Sequence, residues 1–311
     1  MSRLAFVFPG QGAQYPGMGK EMAMNYPEAA RVFDQAEQIS AIKLRELCFF
    51  GPADILNTTE FAQPALLTTS LAILAVVQKQ GIQSELMAGL SLGEYTALVA
   101  AGSVTFAEAL PLVQTRGRLM QNAVPQGAGA MIAVMGIDYD TVFRACEQAG
   151  GIVDIANINC PGQVVISGER EAVLRAGSIL REKEAKIRLL EVSVPSHSQL
   201  MTGAAHKLGE HLQKIAWENP TPAVISNVTG QEHVGKEIPD LLVKQLYSPV
   251  QWEASIRYMA EKVDYFIGIG PGNSLAGLVK RTVPGRWLGN IQDIKSLEKV
   301  MKEVEKICRK E

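Results

Sequence analysis

The sequence predicts an α/β protein in which a large part with a mostly parallel sheet carries a smaller inserted unit. Three observations predict it. Short apolar runs alternate with stretches of helical period towards both ends of the chain. The middle breaks that alternation with paired strands, bracketed by Pro125-Gln126-Gly127 and by Pro195. The length of 311 residues, 47% hydrophobic and 20% charged, suits two domains with a sizeable core.

The elements follow in order. Arg3–Phe8 is apolar and ends at Pro9-Gly10, which marks a buried strand. Glu28–Gln38 is helical. Pro64–Gln80 places Leu66, Leu67, Leu71, Leu74 and Val77 on a helix between a proline start and a Gly81 stop. Glu85–Leu90 is a short strand and Leu92–Ala101 a helix. Phe106–Asn122 is a helix opened by a capping box, Thr105 with Glu108. Then come strand Ala130–Met135, helix Tyr139–Gln148, strands Ile152–Ala156 and Val164–Ser167, helix Arg170–Lys183 and strand Lys186–Val192. That β-α-β-β-α-β order is the ferredoxin-like one. The outer pattern resumes with strand Val224–Asn227, helices Pro239–Leu246 and Trp252–Lys262, strand Tyr265–Ile269, and a helix after Gly270-Pro271-Gly272. The expected division is residues 1–124 with 199–311 for the large domain and 125–198 for the inserted one.

Charge and composition exclude several classes. Lys plus Arg is 30 and Asp plus Glu is 32, a net charge of −2, so no nucleic-acid footprint is present. The apolar run at the N-terminus is too short for a signal peptide. The longest uncharged stretch, Phe61–Gln78, contains Gln63, Pro64, Thr68, Thr69 and Ser70, which suits a buried core helix better than a membrane span. Cys48, Cys146, Cys160 and Cys308 form no CxxC pair and read as reduced thiols in a cytoplasmic protein; no metal pattern accompanies any histidine. A monomer is the default expectation.

Four features carry chemistry. Gly89-Leu90-Ser91-Leu92-Gly93 is a G-x-S-x-G between an expected strand and an expected helix. Such a turn exposes the Ser91 hydroxyl and offers the Leu92 N–H to an oxyanion; the alternative is a tight turn in which Ser91 only caps the helix. A serine nucleophile needs a base. His206 and His211 lie on an expected amphipathic helix over Met201–Lys214, and His233 lies in a charged loop, which leaves His197 in the small-residue turn Val194–Ser198. Phe8–Gln14 is a glycine-flanked loop after the first strand, with neither dinucleotide nor P-loop spacing. Gly268–Gly272 reads as a packing turn. Arg116 shares the apolar face of its helix with Leu112, Val113, Leu119 and Met120, whereas Arg118 points to solvent. A buried guanidinium requires an anion, either a structural Asp or Glu or a substrate carboxylate.

Together these residues resemble the malonyl-CoA:acyl carrier protein transacylases of bacterial fatty-acid synthesis, and the acyltransferase domains of polyketide synthases. The resemblance runs nearly end to end: FPGQGAQ at Phe8–Gln14, FAQPALL at Phe61–Leu67, GLSLGEY at Gly89–Tyr95, TRGRLM at Thr115–Met120, NINCPGQVVISG at Asn157–Gly168, VPSHSQLM at Val194–Met201, YSPVQW at Tyr247–Trp252 and IGPGNSLAGL at Ile269–Leu278. It implies an α/β-hydrolase-like large domain with an inserted ferredoxin-like one. It implies that Ser91 is acylated, that His197 is general base and then general acid, and that a main-chain carbonyl at Gln251 orients His197. It implies an oxyanion hole of the Gln11 and Leu92 N–H groups, Arg116 on the malonyl carboxylate, and Gln63, Met120, Asn159 and Asn227 along the pocket. The partners implied are malonyl-CoA and acyl carrier protein, with no nucleic acid, no membrane and no cofactor, the CoA thioester being a substrate. Lys280, Arg281 and Arg286 are candidates for a basic docking face. Leu90 departs from the family, which carries His before the serine. A stand-alone polyketide acyltransferase and an acyl hydrolase of the same fold stay open as alternatives.

Overall fold

The computed structural model describes residues 2–190 and 194–309. Strand β1 (Leu4–Phe8) is buried at every position, the pattern of a strand covered on both faces. Helices α1 (Lys20–Asn25), α2 (Pro27–Ile39), α3 (Leu44–Phe50) and α4 (Ala53–Leu56) follow and lead into the core helix α5 (Thr59–Lys79). α5 begins more than a turn before the expected start at Pro64. Pro64 therefore lies inside the helix, where it removes one backbone bond, and not at the helix start that proline usually favours. By length and hydropathy α5 could cross a membrane, but 83% of its apolar window is buried inside the protein. Next come β2 (Leu86–Gly89), α6 (Leu92–Ala100) and α7 (Phe106–Gln121). α7 opens on the expected capping box of Thr105 and Glu108.

The middle of the chain forms β3 (Gly129–Met135), α8 (Tyr139–Ala149), β4 (Val153–Cys160), β5 (Gln163–Glu169), α9 (Arg170–Glu182) and β6 (Lys186–Leu189). The end of the expected strand Lys186–Val192 lies outside the described residues. These strands make an antiparallel sheet in the order β4-β5-β3-β6. Strand alternation gives the sheet two unlike faces. Ala130, Ile132, Val134, Val164 and Ile166 pack with residues of α8 and α9. Met131, Ala133, Ala156 and Val165 form a separate cluster on the other face. β4 runs past its expected end at Ala156 because a register shift between Ile155 and Asn157 absorbs one residue. After the shift, Asn157 and Asn159 line the same cavity as Met131 and Ala133. Val250 then tethers the strand: the Ile158 N–H donates to its carbonyl, and its own N–H donates to that of Ala156.

The remainder supplies α10 (Thr202–Leu212), β7 (Ala223–Ile225), α11 (Ile238–Gln245), α12 (Trp252–Ala260), β8 (Tyr265–Ile269), α13 (Ser274–Thr282), β9 (Trp287–Ile291) and α14 (Ile294–Cys308). β9 and α14 lie beyond the expected elements; β9 contains Gly289 and Asn290, which weaken a strand pattern, and it is held by parallel pairing to β8. The large sheet has the order β7-β2-β1-β8-β9, and all of its described pairs are parallel. The carboxyl ends of β1 and β2 therefore open at one edge, the usual place for a site in such a sheet. Beside them Gly270 packs as the expected turn: a Cβ there would lie 2.5 Å from Ser70 Oγ and 2.8 Å from Pro9 Cδ.

Candidate active site

Ser91 stands between β2 and α6 in a left-handed conformation, φ 52° and ψ −103°. The glycines around it are dictated by contact. A Cβ on Gly89 would lie 1.8 Å from the Gly93 carbonyl carbon, and one on Gly93 would lie 2.3 Å from the Phe8 carbonyl oxygen. Strand and helix thus touch backbone to backbone, and the turn between them projects the Ser91 side chain. That side chain makes no capping bond to α6. The backbone of Ser91 is held from both sides. Its N–H donates to Asn227 Oδ1 at 2.6 Å, and its carbonyl accepts from Gln245 Nε2 at 2.9 Å.

The Ser91 hydroxyl meets His197, whose Nε2 lies 2.9 Å from Oγ. His197 Nδ1 lies 2.6 Å from the Gln245 carbonyl. A carbonyl only accepts, so Nδ1 carries the proton and Nε2 offers its lone pair to the hydroxyl. The ring is buried. Burial, and then the Arg116 charge, pull its pKa down to about 4, against the opposing pull of the Gln245 and Ser248 carbonyls. The carbonyl expected at Gln251 is not the one on this ring. The Gln251 carbonyl caps α12, where it accepts from the Ser255 N–H and hydroxyl. Gln245 is the last residue of α11, and its carbonyl meets the ring instead. His206 and His211 are exposed, as expected. His233 lies in a loop, as expected, but it is buried there with Nε2 2.6 Å from Glu94 Oε1. No local sequence signal joins two residues so far apart in the chain.

Arg116 is 1% exposed. Nη1 donates to Gln63 Oε1 at 2.8 Å, and Nη2 donates to Gln245 Oε1 at 2.9 Å and to Ser91 Oγ at 3.2 Å. Its Nε–H has no acceptor among the described residues. Burial lowers its pKa, while the Tyr95 group and the Glu94 carboxylate favour the charge; the guanidinium also lies 5.3 Å from the Tyr95 ring centroid. Among the described residues, no Asp or Glu pairs directly with it. The structural counter-ion expected as one alternative is thus replaced by two neutral amide oxygens, and the cation is left able to take an anionic ligand.

Ser91, His197 and Arg116 open into one cavity of about 300 Å³, also lined by Gln11, Leu92, Met120 and Asn159. The N–H groups of Gln11 and Leu92 take no acceptor among the described residues. Leu92 is the first residue of α6, so its N–H sits at the positive end of the helix. Asn159 Oδ1 is buried without a partner among the described residues. Two expected lining residues lie behind the wall. Gln63 holds Arg116, and Asn227 spans Ser91 N and the Gly89 carbonyl, to which it donates at 2.7 Å. Gln63 lies in a quoted motif and Asn227 at the end of an expected strand, but local sequence does not say which surface an amide faces. Leu90 lines the cavity and packs against the apolar cluster that contains Val250 and Trp252. Of the basic candidates, Arg286 is engaged by the Ala260 and Val263 carbonyls, and Arg281 donates to Gln163 Oε1 at 3.1 Å beside the cavity.

Comparison with known proteins gives a consistent picture. The family model for the acyl transferase domain matches residues 5–307. The chain is 49% identical over 289 residues to the malonyl CoA-acyl carrier protein transacylase of Escherichia coli strain K12, covering 91% of this chain and 94% of that one. It superposes with a TM-score of 0.95 and 41% identity on the crystal structure of the malonyl CoA-acyl carrier protein transacylase from Clostridium perfringens, over 98% of each chain. It superposes with a TM-score of 0.94 and 43% identity on a malonyl-transacylase in complex with its type II polyketide synthase acyl carrier protein, over 97% of this chain and 100% of that one.

Two outcomes are expected from this geometry. Gly89→Ala should lower the unfolding free energy by about 3 kcal/mol in urea titration, because backbone on both sides of the turn must part; a change below about 0.5 kcal/mol is within the range of ordinary surface substitutions and would show that the turn yields. With Ser91 as nucleophile and His197 as its base, the rate of Ser91 acylation should hold as pH falls through 6.5 and fade only near 4, where His197 takes up a proton. The unfolded chain binds that proton at the ordinary histidine value and the folded chain resists it. The His197 contribution to stability is therefore complete above pH 6.5 and is lost as pH falls towards 4. An acid limb at 6.5 in the acylation profile would mean that His197 is not the base.

Proposed function

The chain belongs to the acyl transferase domain family, and from that premise we propose that it moves a malonyl group from malonyl-CoA to the phosphopantetheine thiol of an acyl carrier protein. One observation carries the reading. Ser91 Oγ lies 2.9 Å from His197 Nε2 and 3.2 Å from Arg116 Nη2, so a nucleophile, a base and a cation without a direct counter-ion meet at one atom.

The chemistry follows from those contacts. His197 Nε2 takes the Ser91 proton as Oγ attacks the thioester carbonyl carbon. The Gln11 and Leu92 N–H groups receive the negative oxygen of the tetrahedral intermediate. The C–S bond breaks, CoA leaves with the proton from His197, and a malonyl ester stays on Ser91. The carrier thiol then gives its proton to His197 and attacks the ester, and Ser91 leaves with that proton restored. The Gln245 carbonyl on Nδ1 holds the ring in the required tautomer through both halves. Because both steps are acyl transfers between oxygen and sulfur, the reading needs no cofactor.

Arg116 supplies the selectivity. The second Nη1–H remains for a carboxylate, and Gln63 and Gln245 hold the guanidinium in place. An acyl group without a carboxylate leaves the buried cation unpaired. Met120 and Asn159 complete the wall. The strand order of the antiparallel sheet supports a ferredoxin-like inserted unit over residues 125–198, and the strand-turn-helix around Ser91 supports a hydrolase-like large domain over 1–124 and 199–311. All the groups named come from one chain, which suits a monomer, and a CoA thioester donor suits the cytoplasm. Fatty-acid synthesis is the favoured pathway; the likeness to a polyketide-type transacylase supports a polyketide carrier as the second reading.

Intact-protein mass spectrometry after mixing with malonyl-CoA, with and without a phosphopantetheinylated carrier, tests the reading. A malonyl adduct should form on Ser91 and pass to the carrier, and Ser91→Ala should form none; an adduct lost to water while the carrier stays bare would make the protein a hydrolase. Arg116→Ala should cost malonyl transfer at least about a hundred-fold more than acetyl transfer, because it removes the carboxylate's partner. Equal losses would make Arg116 structural.

A further inference from the structure

Behind the Ser91 turn lies a second layer of buried polar groups that the reaction as derived does not use. Its centre is Glu94, 1% exposed. Oε1 of its carboxylate accepts from His233 Nε2 at 2.6 Å and from the Asn227 N–H at 3.1 Å. Oε2 accepts from Gln245 Nε2. The same Nε2 also donates to the Ser91 carbonyl.

Gln245 can therefore face only one way. Its amide nitrogen meets two oxygens that only accept, so its amide oxygen must meet the Arg116 Nη2 at 2.9 Å. A reversed amide would set oxygen against the Glu94 carboxylate and NH₂ against the guanidinium. Through Gln245 the carboxylate lends negative charge to Arg116 without occupying the N–H groups that a ligand would take. Through Asn227 it also supports the N–H side of the Ser91 turn.

We infer that Glu94, itself held by His233, is a positioning residue that sets acyl-donor selectivity: it fixes the Gln245 amide and thereby aims Arg116 at the acyl carboxylate. The inference rests on the reading of Arg116 as the partner of that carboxylate. It explains how a buried cation persists in the cavity wall without a direct counter-ion that would compete with substrate.

The test uses the full chain with a phosphopantetheinylated carrier, and compares kcat and KM for malonyl-CoA and acetyl-CoA alongside thermal melts. In Glu94→Gln an NH₂ replaces one oxygen, although all the partners of the carboxylate are donors, so the Gln245 amide loses its charged acceptor and is held only by the Ser91 carbonyl and Arg116. The malonyl-to-acetyl ratio of kcat/KM should fall about ten-fold or more, chiefly through the malonyl KM. His233→Leu should lower the ratio about three-fold, and His233→Gln should restore it by returning a donor to Glu94. A folded Glu94→Gln that keeps the wild-type ratio, or that loses both donors equally, would overturn the inference. Should Glu94→Gln not fold, the His233 pair decides, and an unchanged ratio in His233→Leu overturns it. A wild-type chain that transfers no malonyl group would defeat the functional reading itself, which a preserved selectivity in the variants would not.

Discussion

Everything at the site depends on one close approach, the backbone of Gly89 against that of Gly93. Because β2 and α6 touch there, the connecting residue has no room to follow an ordinary turn, and Ser91 takes a positive φ. A serine in that conformation is strained, and such strain persists only where the surroundings hold it. Here they do so with side chains from distant segments, Asn227 on the N–H and Gln245 on the carbonyl. The projection of the hydroxyl into the cavity and the free N–H of Leu92 are consequences of the same contact.

Electrostatics link the other two groups. Arg116 and His197 share the Ser91 oxygen, and both are buried. The cation makes protonation of the ring less favourable, which keeps the base neutral, while the carbonyl on Nδ1 keeps the lone pair on the correct nitrogen. Gln245 serves all three groups at once: its main-chain carbonyl on His197, its amide nitrogen on the Ser91 carbonyl and its amide oxygen on Arg116. Such a shared residue couples the groups, so substitutions among them should not add.

The small antiparallel sheet contributes by having two faces. One is covered by its own helices, and the other walls the cavity. The register shift in β4 decides which face Asn157 and Asn159 join, since a regular strand would turn them the other way. The tether to Val250 keeps that wall in place over the carboxyl edge of the large sheet.

The α/β class, the strand-turn-helix at Ser91, the middle element order, and the placing of Arg116 on an apolar helix face can all be read from the amino-acid sequence. Each of these is written in local periodicity, in glycine spacing or in a cap, and local chain geometry enforces them. The sequence also singles out His197 by elimination as the candidate base for Ser91. The tertiary structure alone decided which carbonyl orients His197, that Gln63 and Asn227 act from behind the cavity wall, that His233 is buried on Glu94, and that Pro64 lies inside a helix. These outcomes join residues far apart in the chain, or turn on which way an amide or a carbonyl faces. No pattern of neighbouring residue types carries that information, because it arises only when the segments pack and each buried polar group must find its partner.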